Sequence, residues 1–281
     1  MTFARNAFFR NVLLFVLTIL ISCTFPSPTL CQDEIGSASP IVTDGTFPSR
    51  DIVVLGLSSI LIRDGARLRT EGGLNDSKKF ADVDSVELEG HINRDLIAFV
   101  ASFENLRALT VHDQPPQLDL NNTLSPLGQA KNLKILRLPV VETSIRRCAV
   151  LGELQGLERL QLGFLLTRED FSAISKLPDL RVLDIFGIQR SSYAIGDRIH
   201  FDSLDELSVS AYSDLMHFKQ TDRIRKLHIR QHFEDQYLND LLRFKNLLEL
   251  SITGSCVEVV AQLERLPELQ SLTIAVSRRI R

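Results

Sequence analysis

Apolar residues along this chain recur in the pattern Leu-x-x-Leu-x-Leu, with Val or Ile standing for Leu. The pattern starts nine times, at Val83, Leu106, Leu133, Leu157, Leu180, Leu204, Ile224, Leu247 and Leu269, in steps of 23, 27, 24, 23, 24, 20, 23 and 22 residues. Within each copy the last two apolar positions alternate with a polar one. Leu136 and Leu138 flank Arg137, and Leu183 and Ile185 flank Asp184. Alternation with period two predicts a short strand with one buried and one wet face. Asn105, Asn132, Gly156, Asp179 and Asn246 each stand just before a copy, and these residue types tolerate the turn that leads the chain into a strand.

The intervening segments carry a helical period. Leu96, Phe99, Val100 and Phe103 fall at i, i+3, i+4 and i+7. Phe171, Ile174 and Leu177 repeat part of that stripe, with Thr167 and Asp170 spaced as a capping box. Val260, Leu263 and Leu266 do the same ahead of Pro267. Each unit therefore predicts a strand followed by a short helix. An eight-fold α/β barrel takes about 250 residues, roughly 30 per unit, which is more than these steps supply. Leucine-rich repeats take about 20–29.

From about Ala81 to Val276 the chain resembles the leucine-rich repeat family. The resemblance implies an α/β solenoid: one short parallel strand plus a short helix or irregular segment per repeat, in a curved array of about nine repeats. It places Leu109, Leu136, Leu160 and Leu183 on consecutive rungs. One feature departs from the family pattern, which has Asn or Cys three residues after the third apolar position. Here those positions hold His91, Gln114, Val141, Leu165, Ile188, Tyr212, His232, Ser255 and Ser277. The chain thus resembles the divergent repeats of bacterial exported proteins. Stacking is obligatory, because ordering each residue costs about 1–2 kcal/mol while each buried aliphatic side chain returns about 1.5–3 kcal/mol. One unit alone cannot cover its own leucines.

The ends read differently. Residues 1–22 have the form of a signal peptide. Arg5 and Arg10 precede an apolar run from Val12 to Ile21, the length of a signal core and about half that of a membrane span. Leu20, Ile21, Ser22 and Cys23 resemble a bacterial lipobox, which implies lipidation at Cys23. Cleavage between Ser22 and Gln32 without lipid, or retention as an uncleaved anchor, are the alternatives. Residues 23–50 contain Pro26, Pro28, Pro40 and Pro48 and read as a flexible tether. Residues 51–80 are assigned to an N-terminal cap or degenerate repeat, with Ile52–Leu57 and Leu57–Ile62 as competing strand registers. The repeat domain is 81–281. Beyond Ile274, Arg278, Arg279 and Arg281 would discourage pairing at an open C-terminal edge; self-association there is the other reading.

Composition narrows the function. The chain is 44% hydrophobic and 24% charged with a net charge of −3, which becomes −5 without Arg5 and Arg10. A mildly acidic protein is a poor general binder of nucleic acid. Cys148 and Cys256 lie about five strand spacings apart in the repeat layout, too far for a disulfide, and are expected as buried small hydrophobes. His228 and His232 are spaced for zinc only on a helix, and here they fall on a strand. Gly72 and Gly73 form no phosphate-cradling loop. Asn75 and Asn121 begin glycosylation sequons that matter only in a eukaryotic secretory pathway. No residue is assigned a catalytic or metal-binding role, and no cofactor is expected.

The wet strand positions form the concave face. Lys134, Arg137 and Arg159 make a basic patch; Gln161, Asp184 and Glu206 follow, then Lys226, His228 and Arg230, with Phe186 as the aromatic anchor. This arrangement points to a non-enzymatic, exported scaffold of the cell envelope that recognises a protein partner. Membrane contact is expected only through an N-terminal lipid or uncleaved signal. The alternatives are an envelope enzyme, or enzyme subunit, acting on a polymer along the concave face, and a self-assembling structural protein.

Overall fold

The computed structural model describes residues 52–54, 59–63, 80, 82–90, 92–112, 119–139, 147–188, 199–219, 221–232, 238–253 and 265–275. The chain divides into two units, residues 1–40 and 41–281, and every described residue lies in the second. The signal segment, Cys23, the tether, Cys256, Val260, Leu263 and the C-terminal arginines fall outside the described residues.

The described residues form one eleven-stranded sheet whose strands follow sequence order. These are β1 (Ile52–Val54), β2 (Ser59–Arg63), β3 (Ser85–Glu89), β4 (Ala108–Val111), β5 (Ile135–Leu138), β6 (Arg159–Leu166), β7 (Val182–Ile188), β8 (Glu206–Val209), β9 (Lys226–His232), β10 (Glu249–Thr253) and β11 (Ser271–Ala275). β1 pairs antiparallel with β2. From β2 to β11 every pairing is parallel. The array is thus one strand longer than the nine copies of the pattern. Both registers in the N-terminal segment are used: Ile52–Val54 turns back on β2, while Ile60 and Ile62 pair with Val86 and Leu88 as a further rung.

The leucine pattern maps directly onto register. Ile60, Val86, Leu109, Leu136, Leu160, Leu183, Leu207, Leu227, Leu250 and Leu272 occupy one column across ten strands. From Ile60 to Leu250 none is more than 3% exposed, whereas Leu272 on the last strand is only partly covered. Apolar side chains from successive rungs thereby form one continuous interior.

A helical layer joins the strands. α1 (Arg94–Ala101) buries Leu96, Phe99 and Val100, and starts at Asn93, whose Oδ1 accepts the Leu96 N–H at 2.9 Å. α2 (Leu120–Leu124) runs into a 3-10 turn at Ser125–Gln129 that packs on α1. The 3-10 turn Ala149–Glu153 packs on α3 (Arg168–Ile174), and Tyr212–His217 packs on α4 (Leu238–Leu241). Gly152 is required at the first of these contacts: a Cβ there would lie 2.8 Å from the Ala173 carbonyl oxygen.

Three sets of hydrogen bonds take the place of the absent Asn or Cys ladder. The carbonyls just before the strands, from Asp84 through Arg107, Lys134, Glu158, Arg181, Asp205 and Arg225 to Leu248, each accept two N–H groups from the next rung at 2.7–3.1 Å. The residue preceding a copy donates its side chain to a carbonyl of the previous repeat. Asn132 reaches the Glu104 oxygen at 2.9 Å and Asn246 the Asp222 oxygen at 2.7 Å; Ser203 reaches Pro178, and Arg223 reaches Asp202. Two buried aspartates brace the interior. Asp170 accepts the Cys148 N–H at 2.8 Å and the Thr167 hydroxyl at 2.7 Å, while Asp214 accepts the Ile188 and Ala211 N–H groups at 3.4 and 3.3 Å. Thr167 does cap α3, accepting the Asp170 N–H at 3.2 Å, but Asp170 turns its carboxylate to the neighbouring repeat as well.

Candidate functional site

Opposite the leucine columns, the alternate side chains of each strand form two further columns. Register fixes both. The first runs Ser85, Ala108, Ile135, Arg159, Val182, Glu206, Lys226, Glu249 and Ser271; the second runs Glu87, Thr110, Arg137, Gln161, Asp184, Ser208, His228, Ser251 and Thr273. Most are half-buried or exposed, with Thr110 and Ser208 just covered. All nine residues assigned to a binding face from sequence lie along this surface or at its entry. Lys134 precedes β5, and Phe186 continues β7 beyond Asp184, half-buried.

The charges on this face are not equally engaged. Over β7–β10 nearly all are paired. Arg230 forms an ion pair with Asp184 two strands away and passes the Ser208 hydroxyl, to which it donates at 3.0 Å. Lys226 meets Glu249 at 2.8 Å, His228 stands 4.0 Å from Glu206, and Arg225 lies 3.7 Å from Asp205. The Glu249 carboxylate, by hydrogen bond and then by charge, holds the Lys226 ammonium pKa above its usual range. On the other side, Lys134 is engaged by Glu158 at 3.2 Å. The basic patch read from sequence therefore reduces to two cations, Arg137 and Arg159, which have no ion-pair partner among the described residues. Arg230 was read from sequence as one more cation of this face; its ion pair with Asp184, made across two rungs, was not, because no spacing along the chain encodes that reach.

Other residues considered for chemistry have structural surroundings. Cys148 is a free, buried thiol whose pKa burial pushes well up, with the Asp170 charge adding to it. His112 sits 3.3 Å from Glu87. No group of three or more metal-ligating side chains occurs among the described residues, and no described helix is long and apolar enough to cross a membrane.

Ten parallel strands at a period near 23 residues, stacked in leucine register with helical returns, define a leucine-rich repeat solenoid of divergent type. No protein-family model matches the chain, and no curated protein sequence does. Among solved structures it is similar to internalin C2 of Listeria monocytogenes, 16% identical over 78% of this chain and 77% of that one, with a TM-score of 0.40. It is also similar to TLR13 in a complex with ssRNA13, 17% identical over 76% of this chain and 34% of that one, TM-score 0.42. A leucine-rich repeat protein of Leptospira interrogans is 15% identical over 72% and 64% of the two chains, TM-score 0.34. The repeat assignment rests on the chain's own register, not on these likenesses.

Proposed function

We propose that the protein is a non-enzymatic recognition scaffold, exported to the cell envelope and held there by lipid on Cys23, with the wet face of its sheet binding a protein partner. The observation that carries the binding reading is the pair of solvent-facing columns, polar for most of their length and interrupted by Ala108, Ile135 and Val182, that run in register across nine strands on a leucine-backed sheet. Such a surface presents side chains in fixed positions with little ordering cost on association. Site-specific photo-crosslinking in the cells that make the protein tests it. A crosslinking side chain at Gln161, Ser251 or Thr273 is expected to trap a protein, whereas one at Lys176 or Glu153 on the helical side is not. Adducts confined to the helical side would overturn the reading. Mass spectrometry of the mature N-terminus, with Cys23→Ala as the control, tests export and lipid: a diacylated Cys23 supports the anchor, and an unmodified Met1 sinks it.

A second reading, self-assembly, has one observation in its favour. Leu269, Leu272 and Ile274 on the last described rung are only partly covered, where their equivalents inside the array are buried. Sedimentation that shows only monomer at high concentration rules it out.

A further inference from the structure

We infer that the partner contacts this face through a short acidic, amphipathic segment, docked over β5–β7 with its carboxylates on Arg137 and Arg159 and an apolar side chain against Ile135, Val182 and Phe186. The inference rests on the face being the protein-binding surface. It adds the chemistry of the partner and the place of contact.

The geometry assembles these residues without any long-range coincidence. Arg159 on β6 lies in register between Ile135 on β5 and Val182 on β7. Arg137 lies in register with Gln161, one strand over and two residues along from Arg159. On strand spacing and rise their Cα atoms are about 8 Å apart. Two guanidinium groups are thus held on neighbouring rungs, one of them between two aliphatic side chains. Phe186 extends the same face of β7. Arginine is among the residues that dominate binding energy at protein interfaces, and phenylalanine is enriched there.

The nearest acidic groups are already occupied. Asp184 shares the row of Arg137 and Gln161, yet its Oδ2 is taken by Arg230, and its Oδ1 is buried and makes no hydrogen bond among the described residues. Glu158 is taken by Lys134. The two arginines repel each other and meet no anion from their own chain among the described residues, so an incoming carboxylate breaks no existing pair. Guanidinium forks also bind carboxylates with two parallel hydrogen bonds, which gives direction as well as charge.

Flanking charge limits the length of the segment. Glu87 lies two rungs before Arg137, and Glu206 and Glu249 lie on β8 and β10 beyond the patch. A long polyanion laid across the sheet would leave the two arginines for a stretch whose cations, Lys226 and Arg230, already hold carboxylates of their own chain. A nucleic acid needs an extended basic track to neutralise its regularly spaced phosphates, and two isolated arginines among apolar side chains do not provide one. A short acidic peptide with an apolar residue satisfies both the centre and its borders.

Fluorescence anisotropy with the full chain tests this. The probe is a labelled peptide of about ten residues alternating Glu and Leu; its counterpart carries Gln for Glu. The Glu peptide is expected to bind, more weakly as salt is raised, and at least about tenfold tighter than the Gln peptide. The double variant Arg137→Gln/Arg159→Gln is expected to lose about tenfold or more, while Arg225→Gln, which removes a cation already paired with Asp205, stays within about twofold. Circular dichroism melts of each variant confirm folding; Arg159 and Arg225 are exposed and Arg137 is half-buried on the wet face, so loss of fold is unexpected. Equal binding of the two peptides, no binding of the Glu peptide, or the same loss in Arg225→Gln overturns the inference. So does tighter binding of oligo-uridine or of phosphatidylglycerol vesicles through the same two arginines. If crosslinks from Ser251 and Thr273 persist while the Glu peptide fails, the acidic-segment inference falls alone. If no face position yields an adduct, the binding reading falls with it.

Discussion

β5–β6 and β8–β10 are built alike and finished differently. Both contribute fully buried leucines to the same column, Leu136 and Leu160 on one side and Leu207, Leu227 and Leu250 on the other. Both receive paired N–H groups at the carbonyl that precedes each strand. On the wet face they part. β8–β10 carry cations and carboxylates in contact, with Arg230 tying the network back to β7. β5–β6 carry two arginines and no carboxylate that is not already engaged. The interior fixes the scaffold identically throughout, so the face is free to vary. Charge that is internally neutralised keeps a sheet soluble and offers little to a newcomer. Charge left unpaired is where a partner finds complementarity without first breaking a contact.

The largest test asks whether the two regions really share one interior. Leu160→Ala and Leu227→Ala should each cost about 2–5 kcal/mol in urea-induced unfolding, since each removes a fully buried side chain from a stacked column. A cost below about 1 kcal/mol at either position, outside the range for a buried leucine, would mean that the halves are not equivalent scaffolds. Asp170→Ala comes next. It strands the Cys148 N–H and the Thr167 hydroxyl in a buried site, and should cost about 1–3 kcal/mol. Asp170→Asn keeps an acceptor and should recover part of that loss in the same measurement.

How far these features could be read in advance differs between interior and surface. The nine starts from Val83 to Leu269 gave the rung spacing and the register of Leu109, Leu136, Leu160 and Leu183, because burial imposes a period that survives in the letters. The tenth parallel strand was half-visible: Ile60 and Ile62 fitted, but the overlapping Ile52–Leu57 match obscured them. The ladders were missed because their donors are chemically mixed. Asn132, Ser203, Arg223 and Asn246 share a position and a carbonyl target, not a residue type. Asn132 and Asn246 were read as turn formers, and their side-chain bonds reach back one repeat, some two dozen residues away. The wet-face positions were legible one by one. Their pairing was not, since Arg230–Asp184 skips a strand, and no sequence spacing announces a side chain reaching over its neighbour.

The donor ladder offers a gain-of-stability test within β5–β6. Gly156 holds the donor position of its repeat, and a Cβ there would sit 3.5 Å from the Lys131 carbonyl oxygen, which is ordinary contact. That oxygen corresponds to the acceptors used by Asn132 and Asn246. Gly156→Asn should therefore add the missing rung and stabilise by about 0.5–1.5 kcal/mol, read as a raised urea midpoint. A lowered midpoint would show that the ladder does not extend through this repeat.

On the face itself, removing a paired cation should differ from removing an unpaired one. Arg230→Gln separates Asp184 from its partner and should cost about 1 kcal/mol, less at high salt. Arg137→Gln relieves repulsion from Arg159 and should leave stability within about 0.5 kcal/mol, or raise it slightly. Urea titrations at low and high salt decide. Equal losses would place Arg137 in an internal contact and remove the contrast on which the binding site depends.

The smallest effect concerns Lys226, whose pKa in the folded chain is raised chiefly by its hydrogen bond to Glu249. A raised ammonium pKa means that the folded state holds its proton more tightly than the unfolded chain. The contribution is therefore complete below the ordinary lysine value of 10.5 and is lost as pH climbs through the folded value. Because both side chains still reach solvent, at 39% and 44% exposure, the slope the pair adds to stability should be shallow. It should show as a steeper fall in melting temperature above about pH 10 for the natural protein than for Lys226→Met. Arg225, one residue earlier, is paired with Asp205 and not with Glu249, so Arg225→Gln should leave the slope unchanged. If Lys226→Met and the natural protein lose stability in parallel, the Lys226–Glu249 contact does not persist in solution, and the neutralised half of the face is more open than its geometry implies.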